Sequence, residues 1–261
     1  PDIAYFKWDC NSPLTNIYSN YEKEHQSHLF VDYVKGLYKV LDRLKAKYPK
    51  IPMMLCSGGG GRTDYDALRY FTEFWASDNT DPIDRLYIQW GFSHIFPAKT
   101  ICAHVTEWNR KVDLKFKVDV AMMGKMGFDL NFSTLPKADA DFCKNAVKAY
   151  NGFKDIIFKG DLYRLVSPYS NTHTATMYVD EAQKRAVVFA FDIFPRYSTA
   201  ESTRLKLQGL QANKMYKVKE INRYDGKDIE VGTFSGDYLM TVGMKAFSEH
   251  RLQSRIFLVE E

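Results

Sequence analysis

Short apolar runs alternate with amphipathic stretches over the first 153 residues. Ile3-Ala4-Tyr5-Phe6 reads as a buried strand. From about His28 to Tyr48, Phe30, Val34, Leu37, Tyr38, Leu41 and Leu44 recur at helical spacing, and Pro49 and Pro52 bracket the stop. Met53-Met54-Leu55-Cys56 predicts a second strand, which runs through Ser57 into four consecutive glycines. A helix near Asp64 to Phe71 and a short third strand, Glu73 to Ala76, follow. Asp81-Pro82 has the form of an N-cap with proline at the first helical position, and predicts a helix to about Ile95. Thr100 to Val105 then reads as a fourth strand, Leu114 to Met126 as a helix, Phe128 to Leu130 as a fifth strand, and Pro136 to about Phe153 as a last helix. Regular alternation of this kind argues for a parallel sheet with crossover helices.

After about Gly160 the period changes. Thr174 to Val179, Ala186 to Ile193, Lys214 to Ile221 and Arg255 to Val259 read as strands, with turn signals at Asp225-Gly226 and Ser235-Gly236. Residues 161–261 are expected to form a small antiparallel β domain, a sandwich. The chain shows no repeat of solenoid period and no low-complexity tract.

Composition narrows the classes. The 261 residues are 45% hydrophobic and 26% charged, ordinary for a folded protein. Lys+Arg 36 against Asp+Glu 32 gives a net charge of +4, too mild for a nucleic-acid binder. No apolar run reaches the ~18 residues of a membrane span. No leader is visible, but the opening Pro1-Asp2-Ile3, without Met, reads as internal to a longer chain, so the sequence does not indicate a location. Cys10, Cys56, Cys102 and Cys143 are too widely spaced for a CxxC half-site, and a disulfide framework is not expected in so large a chain. The six histidines form no HExxH, and the His25/His28 pair fits a solvated helix start. Neither a metal nor another cofactor is called for.

In parallel α/β folds, functional groups gather where strands end. Here those positions are polar: Lys7-Trp8-Asp9-Cys10-Asn11, Cys56 to Arg62, Ser77 to Asp81, and His104. The glycine run lacks a following Lys-Ser/Thr and carries Thr63, so it is no phosphate loop. It suits a turn with unusual backbone angles, or close backbone approach to a small ligand. Asp9 and Asp78 stand out as carboxylates following strands. Lys7, two residues before Asp9, projects the same way on an extended strand and favours the ionised form, which suits a nucleophile. Asp78, after the aromatic Phe74-Trp75, is expected to be less solvated and easier to keep protonated, as a general acid requires. Asp81 competes with it but is claimed by the N-cap. Paired carboxylates in different environments are the requirement for glycoside hydrolysis, although strand-end Asp residues commonly only cap helices. Trp8 and Trp75 lie near the same rim and suit either sugar stacking or core packing.

These segments resemble the melibiases, the α-galactosidases of glycoside hydrolase family 36. Lys7-Trp8-Asp9-Cys10-Asn11 is similar to the family's KWDxN signature, Cys56 to Arg62 (CSGGGGR) to its glycine-rich galactose loop, and Ser77 to Asp81 to its SDNTD segment. Arg85 to Gln89 and Ala103-His104-Val105 also fit, and order and spacing agree over about residues 3 to 130. The resemblance implies a retaining enzyme that releases terminal α-linked galactose. Asp9 would be the nucleophile and Asp78 the acid/base. Lys7, Trp8, Asn11, Cys56 and Gly59 would bind the substrate, with no metal or other cofactor. Cys10 and Ser12 depart from the commonest residues around the nucleophile.

The resemblance also makes the predicted strands numbers 4 to 8 of a (β/α)8 barrel. The expected fold is therefore α/β, with a partial TIM barrel over residues 1–160 and the β-sandwich over 161–261. Length alone would admit a whole barrel of roughly 250 residues, but the motif order leaves only five of its strands. The implied partners are α-galactoside oligosaccharides, the N-terminal part of the same enzyme, and a second copy in a homo-oligomer, with no nucleic acid or membrane. An α-N-acetylgalactosaminidase, a galactosyl-transferring relative and an inactive carbohydrate-binding fragment are the alternatives.

Overall fold

The computed structural model describes residues 2–11, 17–194, 204–248 and 250–261, so Pro1 and Ser12 lie outside the described residues. The chain forms two compact units, Pro1–Asp78 and Asn79–Glu261.

The first unit holds β1 (Phe6–Trp8), α1 (Leu29–Lys47), β2 (Met53–Leu55) and β3 (Glu73–Trp75). The strands are parallel and follow chain order. Phe6 is opposite Met53, Trp8 opposite Leu55, and Leu55 opposite Phe74. Met53, Met54, Leu55 and Phe74 are buried, which explains the unbroken apolar run of β2. The first strand begins later than the expected 3–6, because β2 offers partners only to residues 6–8. Ile3, predicted to be buried, is 50% exposed. Lys7 and Trp8 are therefore strand residues, and Asp9 follows the strand directly. Along α1 only Leu41 is buried, and Phe30 and Val34 of the predicted stripe are exposed. The helix expected near 64–71 shrinks to a 3-10 turn at Asp66–Arg69. Asp64 caps it from one side by accepting the Ala67 N–H at 2.7 Å, and on the other side the Thr72 N–H already pairs with the Met53 carbonyl at 2.9 Å.

The second unit continues with α2 (Pro82–Ser93), β4 (Ile101–Thr106), α3 (Leu114–Ala121), β5 (Lys125–Asp129) and α4 (Lys137–Lys159). Strands β4 and β5 are parallel, with His104 opposite Gly127. The five expected parallel strands are thus present, with α-helices between them except for the 3-10 turn between β2 and β3. α3 stops five residues short of its predicted end. A Cβ on Gly124 would lie 2.6 Å from the Ile101 carbonyl oxygen, and β5 starts at the next residue. α4 runs beyond Phe153 because Ile156 and Ile157 extend its buried face.

The remainder holds β6 (Asp161–Val166), β7 (His173–Val179), β8 (Arg185–Asp192), β9 (Met215–Ile221), β10 (Ile229–Ser235), α5 (Gly236–Thr241) and β11 (Gln253–Glu260). The strands form one antiparallel sheet of order β10-β9-β11-β8-β7-β6. Side chains alternate across it. Val187, Phe189 and Phe191 of β8 join a core with Phe116, Phe153 and Ile156 from α3 and α4. Ala186, Val188 and Ala190 meet Leu205, Leu207, Leu239 and Met244 on the other face. Both faces are buried, so β8 reads as continuously apolar. The second layer of the expected sandwich is reduced, among the described residues, to a single antiparallel bridge between Leu205 and Met244. β6 and β10, which the pattern does not predict, are the sheet edges, and a bulge breaks the alternation of each. No helix among the described residues is long and apolar enough to cross a membrane.

Candidate active site

All the proposed site residues lie in the first unit, at the C-terminal ends of its parallel strands. Lys7 and Asp9 bracket the end of β1, and the Lys7 Nζ sits 3.2 Å from Asp9 Oδ2. Two-residue spacing on an extended chain puts both side chains on one side, as expected. The same ammonium lies over the Trp75 ring, 5.6 Å from its centroid, and feels the charge of Asp78. These interactions outweigh the cost of its burial and raise the Lys7 pKa. Partial burial pushes the Asp9 carboxyl upward. The hydrogen bonds from Lys7 and Cys56, the Lys7 charge and the Cys10 N–H outweigh it and hold Asp9 below the ordinary 3.8.

Cys56 follows β2 and is fully buried. Its N–H donates to the Trp8 carbonyl at 2.9 Å, locking the ends of β1 and β2 together. Burial pushes its thiol up, with the Gly59 N–H and Lys7 pulling the other way and Asp9 adding to the rise. The thiol is therefore protonated at neutral pH and can donate its hydrogen bond to Asp9.

The glycine run is a turn. Gly58 and Gly59 have φ of 54° and 85°, and the Ser57 N–H donates to the Gly59 carbonyl at 2.8 Å. Ser57 Oγ donates to the Cys10 carbonyl at 2.7 Å, and the Gly58 N–H donates to Asn11 Oδ1 at 2.9 Å. The loop after β1 is thereby stitched to the loop after β2. Asn11 spends its oxygen on this tie, and its amide nitrogen remains the group to offer a ligand. The other backbone approach is internal as well. A Cβ on Gly59 would lie 2.7 Å from Ser77 Cα and 3.2 Å from the Asp78 nitrogen. Gly59→Ala should therefore displace the Ser77-Asp78 backbone and destabilise the first unit by about 1–3 kcal/mol. Chemical denaturation, with the Asp78 amide followed by NMR, checks this. An unmoved Asp78 signal would count against the contact.

Asp78 follows β3 after Ala76 and Ser77 and is exposed, against the expectation of a poorly solvated carboxyl. The aromatic side chains belong to the strand, and two further residues carry Asp78 beyond them. The competing Asp81 is engaged by hydrogen bonds. Asp81 Oδ1 accepts the N–H groups of Ile83 at 2.9 Å and Asp84 at 3.3 Å, and its Oδ2 accepts Asn109 Nδ2 at 2.6 Å. Both its oxygens are committed to the predicted N-cap and the loop after β4. Arg85 and Gln89, singled out with the motifs, are buried in α2. Arg85 donates to the Cys102 carbonyl at 2.6 Å and Gln89 to that of Val120 at 3.0 Å, so they tie α2 to its neighbours. Ser57 is the one member of the constellation that the sequence did not single out. Its position directly after β2 was the available signal. His104 lies in β4 of the second unit. The four cysteines are free thiols.

The fold agrees with comparisons to known proteins. A family model described as Melibiase matches residues 1–160, and one described as Glycosyl hydrolase family 36 C-terminal domain matches residues 173–259. Alpha-galactosidase 1 of Pediococcus pentosaceus is 35% identical over 247 residues, 92% of this chain and 32% of that protein. The crystal structure of the family 36 α-galactosidase AgaA from Geobacillus stearothermophilus superposes with a TM-score of 0.88 at 31% identity, covering 98% of this chain and 35% of that one. A variant of AgaA in complex with raffinose superposes equally well, with a TM-score of 0.88 at 30% identity and the same coverage. The architecture is that of the family 36 glycoside hydrolases. Within that class, the chain belongs to the melibiase family. It spans about a third of the length of the curated relatives it matches.

Proposed function

We propose that the polypeptide carrying this segment is an α-galactosidase that hydrolyses terminal α-galactosides with retention of configuration. The observation that carries the proposal is the Lys7–Asp9 pair at the end of β1, whose carboxylate is kept ionised, joined through Cys56 and the glycine turn to the backbone of Asp78. Asp9 attacks the anomeric carbon while Asp78 protonates the leaving oxygen. Asp78 then takes a proton from the water that releases galactose. Lys7, Trp8, Asn11, Cys56 and the backbone at Gly59 surround the sugar, with Trp8 offering a ring face to its C–H groups. The pairing of AgaA with raffinose supports an α-galactoside oligosaccharide as substrate.

In this reading β1 to β5 are barrel strands 4 to 8. Residues 1–160 form the C-terminal part of the catalytic barrel, and residues 161–261 the following β domain. β1 is the edge strand of its sheet. The N-terminal part of the enzyme would supply its missing neighbour and a further wall of the pocket. The polypeptide also has the option of pairing with a second copy. The test is release of p-nitrophenol from its α-galactoside by this chain and by the longest polypeptide that contains it. The longer form is expected to turn over the galactoside and not the α-N-acetylgalactosaminide. Preference for the latter would move the activity to the other sugar, and turnover of neither would overturn the proposal.

A further inference from the structure

Asp192 is the last residue of β8. By strand alternation it shares the sheet face of Ala186, Val188 and Ala190, which Leu205, Leu207, Met244 and Phe247 cover. It is 2% exposed, and among the described residues its Oδ1 has no hydrogen-bond partner. Buried carboxylates ordinarily have both oxygens satisfied, so this one is held against a cost.

The other two oxygens of Asp192 hold one stretch of chain. Oδ2 accepts the Ser248 N–H at 2.7 Å, and the main-chain carbonyl accepts the Leu252 N–H at 2.8 Å. Leu252 has a φ of 57°, a left-handed conformation that persists in a residue with a side chain only where its surroundings impose it. Just before Ser248, Phe247 is buried, with its ring centroid 4.2 Å from that of His173.

Little charge faces Asp192. His173 lies opposite it on β7, and burial holds that imidazole below the ordinary 6.5, so it is uncharged at neutral pH. Gln253, opposite on β11, is neutral. Arg255, two residues further along β11, donates to Glu220 of β9 through Nε at 2.9 Å and Nη2 at 2.5 Å. On the covering segments Arg204, Lys206, Lys245, His250 and Arg251 are exposed. Burial therefore prevails and pushes the Asp192 carboxyl up to about 7, with the Ser248 N–H and the Arg255 charge pulling the other way.

We propose that Asp192 is a proton-operated latch, which holds Phe247, Ser248 and Leu252 on the end of the sheet when neutral and releases them when ionised. Release hydrates both carboxylate oxygens and frees Leu252 from its left-handed backbone. A hydrated carboxyl titrates near the ordinary 3.8, so the closed form binds the proton more tightly than the open form. Between 3.8 and about 7 only the closed form keeps the proton, and each unit of rising pH opens the latch about tenfold further. Above about 7 both forms are ionised and the equilibrium levels off. Every residue involved lies in the second unit, and the latch does not depend on the catalytic reading.

The test is amide hydrogen exchange of the chain by NMR from about pH 5 to 8, with rates corrected for the intrinsic effect of pH. Ser248 and Leu252 are expected to be less protected than Val188 in the middle of β8 at every pH. Their protection should fall about tenfold per unit up to about pH 7 and then stay level. In Asp192→Asn, whose amide oxygen still accepts from Ser248, protection should not vary with pH. His173→Gln should keep the slope. The carbon-13 signal of the Asp192 carboxyl, followed in the unsubstituted chain, gives the titration itself and does not rely on a variant folding; its midpoint should fall where the protection levels off. Protection of Ser248 equal to that of Val188, a slope that survives in folded Asp192→Asn, a slope lost in His173→Gln, or a carboxyl midpoint in the ordinary range would each overturn the proposal.

Discussion

Asp9→Gly is expected to slow galactoside hydrolysis on the order of 10⁴-fold or more in the polypeptide that carries this segment. Added azide should restore turnover and trap β-galactosyl azide. On the proposed mechanism the glycine removes the attacking carboxylate and leaves a space that a small anion can enter. Azide then attacks the anomeric carbon from the vacated side, opposite the leaving group, and configuration inverts once. Asp78→Ala should behave differently. The Asp9 ester still forms with activated leaving groups, and azide, which needs no general base, displaces it in a second inversion to give α-galactosyl azide. The anomer recovered from each variant therefore assigns both roles. The same anomer from both variants, or no rescue of either, would sink the double-displacement reading.

The pH profile supplies a further test of the same site. Asp9 is held below the ordinary 3.8 chiefly against its own partial burial, by Lys7 and Cys56. The Asp9 carboxylate therefore stays ionised as pH falls through the usual carboxylate range, and under its proposed role as nucleophile the acid limb of kcat/KM should lie below that range. Lys7→Met removes one hydrogen bond and one charge and should move that limb upward, whatever it does to KM. An unmoved limb would show that the limb reports a group other than Asp9.

Much of this arrangement is legible in the sequence, for reasons particular to each part. Asp9 and Lys7 are two residues apart on a strand, so local geometry alone brings them together. The Asp81-Pro82 cap is equally local. The turn at Gly58 and Gly59 is visible as a composition signal, but its partner is not. That the loop presses on the backbone of Ser77-Asp78 depends on how β2 and β3 pair, which no local pattern encodes. The same holds for exposure. Trp75 beside Asp78 in sequence implied a sheltered carboxyl, yet two residues of coil carry Asp78 beyond the aromatic strand. In the second unit β7 and β8 announce themselves because both sheet faces are buried there, and β9 and β11 because buried residues recur along them between more exposed ones. The bulged edges β6 and β10 do not, since their half-exposed faces impose no strict alternation.

Asp119→Ala should produce the largest loss of stability, about 3–5 kcal/mol, by leaving Lys115 without its counter-charge. Asp119 sits in the middle of α3 and is fully buried, a position where helix periodicity calls for an apolar side chain. It is tolerated because its oxygens are committed. Lys115 Nζ lies 2.5 Å from Oδ2, and Asn222 Nδ2 donates to Oδ1 at 2.6 Å. Lys115 also donates to the Ser254 carbonyl at 2.7 Å, so the network ties α3 to the loop after β9 and to β11. Removing the carboxylate strands an ammonium and an amide donor together in a site with little water. Asp119→Asn should cost less, because its amide oxygen still accepts from Asn222. Lys115→Met/Asp119→Asn should recover more than half of the alanine loss, since it retains that hydrogen bond and removes both charges. Urea denaturation of the four proteins tests the order. A double variant less stable than Asp119→Ala would mean that the charge pair itself contributes the stability, and an alanine loss under about 1 kcal/mol would mean that the network is incidental to the packing of α3.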